Sequence, residues 1–190
     1  MSKAILKSLK PKTVANILNS NATLFISRDV RLYKATMKLI EKQGYATFFM
    51  YCTKDKETLV KNDIHKILEV ETGKYKYGYG DEVLNGKIVA KFTLRKVEEI
   101  HESFEIDLGS PYYYENEECL EEQACLDKLG IQDYLDMKDG YAYHIEDLVI
   151  FDKPKELREF KRPNPSKNKH LDRYLPVKAP QNFCYVESEE

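Results

Sequence analysis

The four cysteines of this chain, Cys52, Cys119, Cys125 and Cys184, form no C-x-x-C pair. A zinc ribbon or a thioredoxin-like redox motif is therefore excluded. Cys119 and Cys125 lie six apart, which puts them on different faces of a helix and argues against a shared metal. No stretch reaches the ~20 apolar residues of a membrane span. The opening MSKAILKSLK holds no apolar core of signal-peptide length. These absences point to a reduced, cytoplasmic protein with buried thiols and no membrane partner. Asn21-Ala22-Thr23 matches a glycosylation sequon, which stays unmodified in such a compartment. Neither sign of charge is in excess: 30 Lys and Arg face 32 Asp and Glu, for a net charge of −2. The total thus says nothing about a polyanionic partner, and only the distribution can.

The catalytic signatures are also missing. The sequence has no G-x-G-x-x-G, no G-K-[ST] and no G-x-S-x-G. His144-Ile145-Glu146 matches the first half of a zinc deaminase signature, but no P-C-x-x-C follows. His101-Glu102 lacks the second histidine of a zincin helix. Cys52 ends an apolar run and reads as a buried thiol in preference to a nucleophile. The reading is of a chain with no metal, no cofactor and no catalytic set.

What is present fits one domain over residues 1–190. Pro11 opens a short helix with Val14, Ile17 and Leu18 on one face. Thr23 to Ser27 reads as a strand, Leu32 to Lys42 as a helix stopped at Gly44, and ATFFMYC as a buried strand. A helical piece is expected around Ile64 to Leu68 inside an insertion at about 54–85. Lys87 to Val97 is a strand. Residues 115 to 139 read as two acidic helices broken at Gly130, Gly140 to Phe151 as one strand, and FCYV as the last strand. Between them a proline-rich loop runs over about 161–181, a length that points to function or mobility. The order gives an α+β fold around a small curved sheet or barrel.

Two segments carry binding chemistry. In GKIVAKFTLRK, alternation puts Ile88, Ala90, Phe92 and Leu94 on a core face and Lys87, Lys91 and Arg95 on the other. Such a stripe arises from a solvated outer face. It also arises in a groove wall whose cations, about 7 Å apart, match successive phosphates. In GKYKYGYGD, Tyr75, Tyr77 and Tyr79 interleave with Lys74 and Lys76, a pattern of exposed hairpins and of surfaces that stack unpaired bases. The tail adds Lys161, Arg162, Lys167, Lys169, His170, Arg173 and Lys178, while the acids gather in YYYENEECLEEQ and the final ESEE. The charge is segregated into basic and acidic regions.

Several runs together, SLKPKTVANILNSNATLFISR, YCTK, NGKIVAKFTLRKVE, KDGYAYHIEDLVIFDKPKELREF and APQNFCYVE, resemble the ASCH domain family, most of all its Gram-positive and phage-borne branch. The resemblance runs from about Leu6 to Glu187 and is strongest from Gly140 onward. It implies a PUA-like fold, a small β-barrel flanked by helices with a cleft between them. It also implies a link to RNA or nucleotide binding, with amidohydrolases acting on acetylated cytidine and ribonucleases among its members. The family motif G-x-K-x-x-E-x-R falls here on Ser20, Ala22, Phe25 and Ser27, with Thr23 kept and Arg28 one place beyond the arginine. The acid of the family's G-K-V-V-A-E-F strand is Lys91. Ala22 and Phe25 can neither activate water nor steady an oxyanion, and Lys91 reverses the acid's sign. Related tails often carry cysteine clusters suited to a metal; this one has no cysteine before Cys184.

The resemblance and the residues together predict a nucleic-acid-binding module for RNA or single strands, without family-type hydrolysis. Its contacts are expected at Thr23, Arg28, Lys91, Arg95, Tyr75 and Tyr77. One alternative is a small hydrolase of a modified nucleoside or RNA, using Thr23, Lys91 and Cys52. Another is a phage-borne interaction or anti-defence protein whose partner is a host nucleoprotein complex, with the acidic region 115–127 and the tail as its surface.

Overall fold

A computed structural model describes residues 3–62, 67–71, 76–102, 112–113, 120–136, 138–161, 163 and 179–187. Twelve strands occur among them. They are β1 (Lys3–Leu9), β2 (Leu24–Ser27), β3 (Ala46–Cys52), β4 (Glu57–Lys61), β5 (Ile67–Glu71), β6 (Glu82–Val83), β7 (Ile88–Leu94), β8 (Val97–Glu102), β9 (Tyr112–Tyr113), β10 (Gly140–His144), β11 (Glu146–Lys155) and β12 (Phe183–Glu187). The helices are α1 (Pro11–Leu18), α2 (Val30–Gln43), α3 (Leu120–Ala124) and α4 (Lys128–Leu135). The fold is α+β, as the order of elements predicts.

The main sheet runs β11-β7-β3-β1-β12. Only β1 and β3 pair in parallel; the other ladders are antiparallel. A second sheet runs β2-β10-β8-β9, and a small third sheet runs β5-β4-β6. Among the described residues these ladders stay open, so the expected barrel is not closed by backbone hydrogen bonds.

Local chemistry explains most boundaries. Pro11 sits at the first position of α1, where its missing N–H costs nothing. Asp29 caps α2 by accepting the Arg31 backbone N–H at 2.9 Å. Gly44 ends that helix at φ 82°, a conformation that suits glycine, and donates to the Ile40 carbonyl at 2.7 Å. The break between α3 and α4 falls at Cys125 to Asp127, not at Gly130. Gly130 lies inside α4, where its N–H meets the Asp127 cap at 2.7 Å. A Cβ there would come within 2.8 Å of the same oxygen.

Three further expectations fail for physical reasons. Ile67 and Leu68 are strand residues paired to β4, not helix. Gly140 to Phe151 is two strands, because the chain leaves the second sheet at His144 and enters the main sheet at Glu146. Asp147, at φ 49°, lies just inside β11, where the register against β7 shifts between Glu146 and Val149. The strand at 88–94 carries a bulge: Ala90 faces Met50 but Ile88 faces Tyr51, leaving Val89 extra. One extra residue swaps faces. Val89, Ala90, Phe92 and Leu94 therefore join the main core, while Ile88 joins Leu6, Phe49 and Phe160 on the sheet's other side.

Four rings join the two large sheets. Phe25 and Tyr143 are cross-strand partners in the second sheet, and Phe48 and Phe92 are partners in the main sheet. Phe25 stacks on Tyr143 with centroids 4.7 Å apart and planes 4° apart. Its edge meets Phe92 at 6.1 Å and 71°. Phe25 is only 2% exposed. Phe25→Ala is expected to lower the unfolding free energy by about 3–5 kcal/mol, read from urea denaturation. A loss under about 1 kcal/mol would show that the rings are not the joint.

Candidate nucleotide site at the amino end of α1

A cavity of about 490 Å³ lies where β1, the start of α1, β2 and α4 meet. That volume is in the range of small-molecule sites. Leu24, Phe25, Ile26 and Leu126 give it an apolar wall, and Lys7, Lys10 and Lys12 contribute three cations. Asp55 is the one carboxylate among the described lining residues.

Strand alternation places Lys7 there. Ile5 and Leu9 point into the main core, so Lys7, between them, shares their face. It is 5% exposed. Its Nζ donates to Asn182 Oδ1, and Asn182 Nδ2 donates to Asp29. Asp29 also accepts from Arg31 Nε at 3.2 Å and Nη2 at 3.1 Å. Burial raises the Asp29 carboxyl, but its bonds from Arg31 and Asn182 outweigh that and hold it below the usual range. Burial pushes the Lys7 amine down to about 8, against a smaller opposing pull from Asp29. Ser8 fixes the neighbouring backbone, its Oγ donating to the Pro180 carbonyl at 2.7 Å.

Lys10 and Lys12 come from the first turn of α1. That turn has no side-chain cap and no acidic residue. Free N–H groups and the helix dipole both favour an anion at this end. The cavity thus offers an apolar surface for a flat group and a cationic mouth for a phosphate or carboxylate.

Of the expected contacts, Tyr75 lies outside the described residues, and none of the other five lines this cavity. Thr23 is exposed and acts through its backbone, its N–H bonding the Gln123 carbonyl and its carbonyl accepting from Ile145, both at 2.9 Å. Tyr77 is exposed, ahead of the turn at 79–80. Arg28 borders a separate cavity and faces Asp136 at 3.8 Å. Arg95 is paired with Glu146 and with Asp147, the latter at 3.1 Å, and Lys87 with Glu82 at 2.8 Å. Lys91 is exposed and opposite Phe49, which is opposite Leu6. It therefore shares the face of Leu6, and Lys7 projects from the other. Lys91 and Arg95 are thus exposed and outside the cavity, and the bulge at Val89 puts Lys87 on the face opposite Lys91, so the three do not form one stripe.

The residues proposed for hydrolysis are also dispersed. Cys52 is buried, which drives its thiol up to about 12. His144 is engaged by Glu98, which also binds Lys96 at 2.6 Å, while Glu146 belongs to the other sheet and pairs with Arg95. Among the described residues no group of three His, Cys, Asp or Glu side chains could hold a metal. The site residues missed in the sequence are Lys7, Lys10, Lys12 and Asn182. Their signal was a lysine inside the apolar run KAILKSL and a KPK at a helix start.

The buried amine makes stability depend on pH. Its folded value, about 8, is below the ordinary 10.5, so the unfolded chain holds more protons between those limits. Stability from this group therefore rises across that window, and below it the buried charge costs on the order of 3 kcal/mol. Lys7→Met is expected to be more stable than the parent at pH 7, with the difference shrinking towards pH 10. Urea midpoints at the two pH values check this; a less stable variant at pH 7 would contradict it.

No protein-family model and no curated protein sequence matches the chain. Among solved structures, an ASCH protein from Zymomonas mobilis is 13% identical, with 97% of this chain and 87% of that one covered at a TM-score of 0.51. A point mutant of the same protein, ZmASCH, is 12% identical, with 98% and 91% covered at a TM-score of 0.53. These likenesses span nearly the whole chain, and what they show is a fold: the chain is built on the architecture of an ASCH protein.

Proposed function

We propose that this chain is a PUA-like, ASCH-type module that binds RNA or another single-stranded nucleic acid and does not hydrolyse it. One nucleotide unit enters the cavity at the start of α1. The base lies along Leu24, Ile26 and Leu126, and its phosphate meets Lys10, Lys12 and the open helix end. The observation that carries the reading is the convergence of three lysines and an apolar wall in one cavity.

A single strand suits that geometry because its bases can be splayed into a pocket, whereas duplex bases are stacked and paired. The ASCH architecture supports the reading, since the family resemblance links it to RNA and nucleotide binding. The buried, high-pKa Cys52, the apolar Ala22 and Phe25, and Lys91 on the sheet's opposite face all favour binding without chemistry. We take residues 1–190 as one such module, with 54–85 as an insertion.

Fluorescence anisotropy with labelled oligouridylate tests this. Lys10→Gln with Lys12→Gln is expected to weaken binding roughly tenfold and to flatten the log–log salt slope by about 1.4. Lys91→Glu with Arg95→Gln is expected to leave affinity unchanged, and the oligonucleotide should remain intact on a gel. The opposite pattern, with loss at Lys91 and Arg95 only, would return the site to that outer face.

A further inference from the structure

A second cavity, of about 580 Å³, lies beside the first. Its walls include Arg28, Asp29, Arg31, Tyr134 and Asn182. Tyr134 lines both cavities. Asn182 also spans them, bonded to Lys7 on one side and Asp29 on the other. The two spaces are thus neighbours separated by a ring and an amide.

The partition is fixed in place. Ser27 and the Arg28 backbone hydrogen-bond the Tyr134 hydroxyl, while 44% of the residue remains exposed. A ring held at its polar tip and open on its surface is suited to packing against a base or sugar.

The charge of the second cavity favours an anion. Arg28 and Arg31 stand against one carboxylate, Asp29, whose oxygens are occupied by Arg31 and Asn182. The contact from Arg28 to Asp136 is 3.8 Å, with both side chains at least half exposed. Such pairs contribute little and yield readily to a phosphate. The Tyr143 hydroxyl is buried without a hydrogen-bond partner among the described residues.

We propose that the second cavity is the adjacent-phosphate subsite of the same ligand. A strand with one unit in the first cavity crosses Tyr134 and sets its next phosphodiester on Arg28 and Arg31. The inference rests on the binding function proposed above and adds to it a footprint of at least two units and a defined path.

The test compares uridine monophosphate with a uridine tetranucleotide by NMR shift titration on the whole chain. Arg28→Gln with Arg31→Gln is expected to weaken the tetranucleotide about tenfold and to leave the mononucleotide unchanged. Tyr134→Ala should do the same, and Tyr134→Phe should keep most of the affinity. Because Arg31 also touches the α2 cap, Arg28→Glu alone serves as a second variant outside that network. Unchanged tetranucleotide affinity in the arginine variants overturns the subsite, as does an equal loss for both ligands. If Lys10→Gln with Lys12→Gln alters neither ligand, the first cavity is wrong as well, and both readings fall together.

Discussion

The stacking of Phe25 on Tyr143 is the contact on which the arrangement depends. It ties β2 to β10 within the second sheet, and its outer surfaces meet Phe48 and Phe92 from the main sheet. Both rings belong to the core that the two sheets share. Stacked and edge-on ring pairs add about 0.5–1.5 kcal/mol each beyond the apolar area they bury. Phe25 is also among the residues lining the cavity, so a residue that joins the sheets forms part of its wall. A carboxylate at this position would enter the core unpaired, at a cost of several kcal/mol. Phe25 thus excludes an acid from the cavity wall while making the wall rigid.

That rigidity carries two polar defects. Lys7 is a buried amine with its proton weakened, and Tyr143 keeps a buried hydroxyl without a partner. Both are destabilising in a protein that only had to fold. The Lys7–Asn182–Asp29–Arg31 chain runs from the first cavity to the second. Of the two defects, only Lys7 lines one of these cavities, where a bound anion would offer its buried amine a counter-charge.

Much of the framework was legible because it follows from local rules. The α2 stop lies in Gly44, β3 in ATFFMYC, and β12 in FCYV, whereas the helix start at Val30, capped by Asp29, falls two residues before the expected Leu32. What stayed hidden depends on contacts between distant residues. The bulge at Val89 exists only relative to Met50 and Tyr51. The corner after His144 interrupts a run whose alternation continues straight through it. β1 was missed because Lys7 breaks its apolar pattern, yet the strand lies inside the main sheet and carries the site's buried cation. The expected stripe of Lys87, Lys91 and Arg95 is split by the bulge at Val89, which turns Lys87 to the face opposite Lys91, and the acidic partners of Arg95, Glu146 and Asp147, arrive from over fifty residues away.

The contrast between the outer face and the cavity shows which cations are available for binding. Arg95 stands among carboxylates and water, where an incoming phosphate would displace existing partners for little gain. Lys10 and Lys12 stand at a helix end that has no acid in its first turn, beside an apolar wall that lowers the local dielectric. A phosphate there gains from charge, dipole and open N–H groups at once. The near-zero net charge is therefore no measure of anion affinity. Folding sets acids beside the outer Arg95 and leaves Lys7, Lys10 and Lys12 around one cavity.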